Sequence, residues 1–170
     1  MGLIQSMTFS FLQQVGSDRG FGLQAVTGVL IGLGIVNLLP AGLAAVLERR
    51  WSARTVMLLG PLLQALLTNT IMNSSAFVPY AAAASVFAAV MIFTHTFAFG
   101  LLARLDTSGR AMAATPAMLM VGAAIGPILG GTLVSGFGYA SLGIASAAIA
   151  AVAIACFSRI PSTSTAAVQH

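Results

Sequence analysis

The chain has 170 residues, of which 58% are hydrophobic and 6% are charged, and its mean hydropathy is +1.00. Soluble domains are about 45–50% apolar and about 25% charged, so this composition excludes an ordinary water-soluble fold. The charges are seven arginines and three acidic residues, and they leave three uncharged stretches, 20–47, 55–103 and 111–158. About 20 apolar residues cross a bilayer as one helix, so these stretches fit one, two and two helices. The sequence predicts an all-α, polytopic membrane helix bundle with five full spans.

The first predicted element is a partial helix over residues 1–15. This segment is apolar with interspersed glutamines, among them Gln13 and Gln14. At 1.5 Å per residue it reaches about 23 Å, which is short of the roughly 30 Å hydrocarbon core. We therefore expect it to be the second half of a longer helix. Residues 16–20 form a polar turn after it.

Five spans follow, over residues 21–47, 55–72, 80–102, 111–134 and 139–157, and we expect them to form one bundle within residues 1–158. Pro40 lies inside the first span and predicts a kink at Leu39–Pro40, because proline lacks the backbone donor of a regular helix. The turn signals at 73–79 and 135–138 join the second span to the third and the fourth to the fifth. The polar tail 159–170 is predicted to be disordered.

The arginines fix the expected orientation. Six of the seven lie in the loops after the first and third spans and in the tail, whereas Arg19 lies on the other side. Cytoplasmic loops carry the excess of basic residues, so this side and the C-terminus are predicted to be cytoplasmic, with a bacterial inner membrane as the expected location. Trp51 is then expected at the inner membrane interface, and Tyr80 and Tyr139 at the outer one. The six arginines are Arg49, Arg50, Arg54, Arg104, Arg110 and Arg159.

The sharpest local pattern is in the fourth span. Gly122, Gly126 and Gly130 recur at every fourth residue and place three bare backbone patches on one helix face. Such faces let two membrane helices approach closely, and Pro127 permits a bend between them. The pattern fits either a static packing seam or a moving contact between two bundles. Gly28 and Gly32 form a weaker seam of the same kind in the first span.

These residues resemble the major facilitator superfamily. The segment from Gly122 through Gly126-Pro127 to Gly130-Gly131 is similar to the glycine-proline signature of that family. The loop from Asp106 to Arg110 resembles the short cytoplasmic loop before its eleventh helix. Gln13-Gln14-Val-Gly16 resembles the end of its seventh helix. The arginines Arg49, Arg50 and Arg54 occupy the position of its basic loop between the eighth and ninth helices.

The resemblance runs through nearly the whole chain in the order of helices seven to twelve. It implies the carboxy-terminal half of a twelve-helix secondary active transporter, which moves a small solute by alternating access. The missing amino-terminal half or a second copy would then be the partner. The first and fourth spans would lie at the contact between the two bundles. Two alternatives remain open: a non-transporting membrane subunit or scaffold, and a half-size transporter acting as a homodimer.

Polar residues inside the spans are the candidates for the solute site. His95 is ionisable near neutral pH and lies in the third span, which by the resemblance lines the central cavity next to Thr94. Proton coupling through His95 is one interpretation, and a hydrogen bond between helices is the other. Gln13 and Gln14 are further candidates, because the resemblance places them in a cavity-lining helix.

Other classes of function are not expected from this sequence. It contains no nucleophile–base pair and no cluster with metal-ligand spacing, so we predict neither an enzyme nor a bound metal or cofactor. The isoelectric point near 10.7 arises from scattered arginines and not from a basic patch, which argues against nucleic-acid binding. Gln64 and Asn69 in the second span are interpreted as structural residues that link helices.

Overall fold

The computed structural model of the chain describes residues 1–47, 50–106 and 108–159. Within these ranges the regular structure is entirely helical, and five helical stretches are long and apolar enough to cross a membrane. The prediction of an all-helical protein with five such spans is confirmed. The predicted disordered tail beyond Arg159, and Arg49, lie outside the described residues. The helices are α1 (Gly2–Asp18), α2 (Leu23–Val36), α3 (Pro40–Leu47), α4 (Ala53–Asn73), α5 (Phe77–Leu105), α6 (Arg110–Phe137) and α7 (Ala140–Ser158).

The first span is broken where the sequence predicts a kink. Helix α2 ends at Val36, and α3 begins with Pro40. Proline is favoured at the first position of a helix, because its missing N–H has no helical partner there anyway. Leu38 and Leu39, in the break, are exposed. The two helices together still form one apolar stretch of 25 residues, Leu23–Leu47.

Helix α1 packs against most of the other helices. It has 17 residues and contacts α2, α4, α5, α6 and α7. Ile4, Met7, Leu12 and Val15 are buried and belong to the main hydrophobic core. The segment predicted as a partial helix therefore organises the fold, although it is not among the five helices long enough to span.

The other helices also pack against one another. Helix α4 packs against both α5 and α7, α2 and α3 pack on α5, and α6 packs mainly on α1. We call the end where α4 and α6 begin the basic end, because Arg50, Arg54, Arg104 and Arg110 lie there. The end where α1 and α4 terminate is called the far end.

Tyr80, which the sequence analysis expects at the outer membrane interface, is directed into the bundle. Its side chain is 0% exposed, and its hydroxyl donates a 2.8 Å hydrogen bond to the carbonyl oxygen of Leu12. The hydroxyl fits because Gly16 has no side chain: a Cβ there would be 2.8 Å from the Tyr80 oxygen and 2.7 Å from Val26. Tyr80 thus anchors α5 to α1 inside the bundle.

Tyr139 lies at the far end, just before α7, and links this helix to α1. Its hydroxyl donates a hydrogen bond to the Asp18 carboxylate. Burial, followed by this bond to Asp18, raises the pKa of Tyr139 to about 12. The phenol therefore remains protonated, and remains a donor, throughout the physiological pH range.

Asp106 caps the start of α6 at the basic end. One carboxylate oxygen accepts hydrogen bonds from the Ser108 hydroxyl (2.6 Å) and the Ser108 N–H (3.1 Å), and the other accepts from the Ala111 N–H (2.6 Å). The Ser108 hydroxyl and then the Ala111 N–H lower the pKa of Asp106 below its ordinary value. A carboxylate at a helix N-terminus also complements the positive end of the helix dipole.

This cap should make the first turn of α6 sensitive to acid. Because the folded-state pKa is depressed, the cap stabilises fully above the ordinary carboxyl pKa and is lost as the pH falls through the lower folded value. We expect the amides of the first turn of α6 to exchange hydrogen faster at pH 3 than at pH 6, after correction for the intrinsic rates. Asp106→Asn should abolish this difference, and Ser108→Ala should only reduce it. An unchanged pH response in Asp106→Asn would contradict the cap.

Candidate functional site

The glycine face of α6 has a partner within the chain, namely α1. A Cβ at Gly122 would lie 3.0 Å from the Leu3 nitrogen, and a Cβ at Gly126 would lie 2.8 Å from the Met7 nitrogen. The contact at Gly126 is shorter than real Cβ atoms show, and the contact at Gly122 is tighter than nearly all of them. The Ser6 hydroxyl adds a 2.8 Å hydrogen bond to the Gly122 carbonyl oxygen. Helices α1 and α6 therefore pack backbone against backbone.

The third glycine completes this contact. A Cβ at Gly130 would lie 2.9 Å from the ring of Phe11 and 3.0 Å from Met7. Pro127 lies inside α6 between these contacts. Of the two interpretations that the sequence leaves open, a packing seam within the bundle is the one that the geometry favours.

The weaker seam in α2 is arranged differently. A Cβ at Gly28 would meet nothing within 4 Å, and one at Gly32 would approach only the Ser85 hydroxyl, at 3.7 Å. Gly28 is exposed on the outside of the bundle. The structure therefore does not bring the glycines of the first and fourth spans together.

A polar face of α1 is exposed on the outside of the bundle. Ser10, Gln13, Gln14 and Ser17 are all exposed, and their spacing places them on one side of the helix. Leu12 and Val15, on the other side, are buried. Both glutamines predicted for the solute site are thus on this face.

Helix α6 is uncovered along its basic-end half. Residues 110–121 are exposed on nearly every side; Met118 and Met120, for example, are 74% and 73% exposed. Contact with α1 begins near Leu119, whose side chain approaches Gly2. A helix packed along its length is buried on at least one face, so this half of α6 has few neighbours within the described chain.

Thr94 and His95 are neighbours in α5, but their side chains have different surroundings. Thr94 is buried against Gly60 of α4, and its hydroxyl donates to the Val90 carbonyl oxygen at 2.7 Å. His95 is partly buried, its Nδ1 lies 2.8 Å from the Met91 carbonyl oxygen, and its ring meets Phe99 edge-on. Thr94 is therefore a packing residue at the crossing of α4 and α5.

His95 lies far from the glutamines along the bundle axis. The bond between Tyr80 and Leu12 places these two residues at the same level. His95 is fifteen residues beyond Tyr80 in α5, which corresponds to about 22 Å towards the basic end. Gln13 and Gln14 follow Leu12 directly. The structure does not unite His95 and the glutamines in one site.

Gln64 and Asn69 form hydrogen bonds between helices, as the sequence analysis expects. The Asn69 amide nitrogen donates to the carbonyl oxygens of Gly143 in α7 (3.1 Å) and Ala65 (3.0 Å). Gln64 is fully buried and donates to the Gln5 side chain at 3.3 Å. These bonds join α4 to α7 and to α1.

Two arginines bind the C-terminal carbonyls of neighbouring helices. The Arg19 guanidinium donates to Ile71, Met72 and Ser74 at the end of α4, and Arg54 donates to the Ser158 carbonyl oxygen at the end of α7 at 3.0 Å. Arg19, the one arginine on the far side by sequence, thus has a structural role there. Sequence reasoning missed this role, although a cation near a helix C-terminus is a recognisable signal.

An apolar cavity lies elsewhere, between α3, α4 and α5. Its volume is about 420 Å³, and it is bordered almost entirely by apolar side chains, with Thr94 at its edge. His95, Gln13 and Gln14 do not border it. No group of three histidine, cysteine or acidic side chains that would suit a metal occurs among residues 1–47, 50–106 and 108–159.

These features define an all-helical bundle with five helices able to cross a membrane, which fits an integral membrane protein. No protein-family model matches the chain, and neither the curated proteins nor the solved structures contain a significant match.

Proposed function

We propose that the chain is half of a secondary active transporter of the major facilitator type. The observation that supports this proposal best is the exposed polar face of α1, formed by Ser10, Gln13, Gln14 and Ser17. Polar side chains within a membrane are unfavourable against lipid and generally face a bundle interior or a water-filled cavity. A second bundle placed against α1 would enclose such a cavity.

The uncovered half of α6 supports the same arrangement. Residues 110–121 are exposed on nearly every side, and most of this half precedes the contact with α1, which begins near Leu119. A second six-helix bundle, either an amino-terminal half or a second copy, would cover both regions. Rocking of the two bundles about a site on the α1 face would give alternating access to a small solute. The arginine-rich basic end is the cytoplasmic end in this proposal, with the C-terminus on the same side.

A non-transporting subunit or scaffold is the second candidate. Gly28 favours it, because this glycine is exposed on α2 with nothing within 4 Å of its would-be Cβ. An open glycine on a membrane helix is suited to close contact with a helix of another chain. A scaffold does not require water beside α1, whereas a transporter requires a water-filled cavity there.

The two functions therefore differ in water access to the polar face. Cys156 is the one cysteine of the sequence, so it is first replaced with alanine. In this background we expect Gln14→Cys and Ser10→Cys to react with a membrane-impermeant thiol reagent in native membranes. Water must reach a thiol for this reaction, and a solute cavity supplies that water. The fraction of protein labelled is measured by the mass shift of the intact chain.

Ile128→Cys is the matched control. Ile128 is 72% exposed and lies between Gly126 and Gly130, which contact Met7 and Phe11, so its depth is close to that of Ser10. It should remain unlabelled because it faces lipid. Equal, low labelling at positions 10, 14 and 128 would refute the cavity and leave the scaffold.

A further inference from the structure

An apolar groove opens on the outside of the bundle between α3 and α4, with α5 as its floor. This is the cavity of about 420 Å³, and its walls are formed by Leu43 of α3 and by Leu59 and Leu63 of α4. Leu43 is 53% exposed, so the groove is open to its surroundings. In a bilayer these surroundings are hydrocarbon chains.

The dimensions of the groove match one leaflet. Along α4 it extends from Val56 to Leu63, which corresponds to about 11 Å. Half of the hydrocarbon core is about 15 Å thick. The groove thus starts at the basic end and runs along α4 over a length comparable with most of one leaflet.

Trp51 lies at the basic-end mouth of the groove, and the positively charged Arg50 precedes it in the chain. Trp51 borders the groove, and its ring meets Phe93 edge-on with the centroids 6.0 Å apart. Arg50, the preceding residue, is exposed, and its guanidinium has no hydrogen-bond or ion-pair partner within the described ranges. Helix α4 begins three residues later, at Ala53, and adds the positive end of its dipole.

We propose that this groove binds an anionic phospholipid from the leaflet at the basic end. One acyl chain lies between α3 and α4 over Phe93, Trp51 is at the level of the glycerol backbone, and the headgroup phosphate pairs with Arg50. The charge at the mouth complements an anionic headgroup, and the apolar walls complement the chain. This binding does not depend on the proposed transport function.

Trp51 is the one tryptophan of the chain, so its fluorescence reports on the mouth of the groove. The test reconstitutes the protein in bilayers that mix phosphatidylcholine and phosphatidylglycerol, with bromine on the acyl chains of one lipid at a time. Brominated chains quench tryptophan on contact. We expect phosphatidylglycerol to be preferred about fivefold over phosphatidylcholine at Trp51, because one arginine near a membrane surface contributes roughly a fivefold preference for anionic lipid.

Arg50→Gln should abolish this preference, so that the ratio between the two lipids falls to about one. Arg54→Gln is the matched control: it removes the same charge four residues away, but the Arg54 guanidinium is directed to Ser158 of α7. It should retain most of the preference. Ala89→Phe, on the floor of the groove, should weaken quenching by both lipids, whereas Val152→Phe on the outside of α7 should not.

Quenching that follows the mole fraction of each lipid, with no preference, would show non-selective annular lipid and overturn the proposal. A preference that Arg50→Gln and Arg54→Gln reduce equally would overturn it as well, because it would arise from net charge. Absence of quenching by either lipid would show that another occupant fills the groove.

Discussion

Replacing Gly126 with leucine should separate α1 from α6 and strongly destabilise the protein. The new side chain would overlap Ser6 and the Met7 backbone, neither of which is the flexible end of a long side chain. Overpacking in a close-packed interior typically costs about 1–3 kcal/mol, and here the hydrogen bond from Ser6 to Gly122 would be lost in addition. We expect the free energy of unfolding, measured in detergent micelles, to fall by about 3 kcal/mol or more.

Gly131→Leu is the control for this substitution. Its would-be Cβ has one neighbour, the ring of Phe11 at 4.0 Å, so leucine has room on the outside of α6. This variant should unfold at nearly the wild-type denaturant concentration. Equal stability of Gly126→Leu and Gly131→Leu would show that α1 does not pack on the glycine face.

Replacing Arg19 with alanine should have the next largest effect. Arg19 donates to three carbonyl oxygens at the end of α4, those of Ile71, Met72 and Ser74. A hydrogen bond to a charged group contributes about 1.5–3 kcal/mol, and its loss leaves these carbonyls without the partner they have now. We expect a destabilisation of about 2–3 kcal/mol, together with faster hydrogen exchange in the last turn of α4.

Two further variants separate geometry from charge in this interaction. Arg19→Lys keeps the charge but lacks the planar fork that reaches several acceptors, so it should recover only part of the stability. Arg50→Ala removes an arginine that has no partner in the described chain, and it should leave the stability unchanged. Full recovery by Arg19→Lys would show that charge alone is sufficient at this end of α4.

The number and type of the long helices could be predicted from the sequence because charge is excluded from them. The stretch 55–103, for example, contains most of α4 and most of α5, and the turn predicted at 73–79 includes the gap between Asn73 and Phe77. The break at Pro40 was also predictable, since it follows from the chemistry of one residue. These features are local, so one sequence was enough.

The packing could not be predicted in the same way. A glycine pattern shows where a helix can be approached, but not which helix approaches it, and the partner of Gly126 is more than 100 residues away in α1. The predicted orientation places Tyr80 at the level of the outer interface, but it does not show that the side chain is buried. Its burial depends on the space left by Gly16, which is a contact between distant segments.

The residues predicted for the solute site lie on different parts of the bundle. Gln13 and Gln14 are on an exposed polar face, which is consistent with their predicted role. Thr94 is packed against Gly60, and His95 lies on another part of the bundle. Sequence position fixes the depth of a side chain along a helix, but the direction in which it points depends on the neighbours of that helix.

The pairing of α1 with α6 has a consequence for biosynthesis. The bond between Ser6 and Gly122 joins residues 116 positions apart. At a synthesis rate of about 5–20 residues per second, the face that receives α1 emerges roughly 6–23 seconds after α1 itself. During this interval α1 has no partner for the side that later packs on α6. Helix α1 is also not among the candidate membrane spans. Helix α1 is therefore synthesised early, but the core of the protein is complete only after α6 has been made and the two helices have packed together.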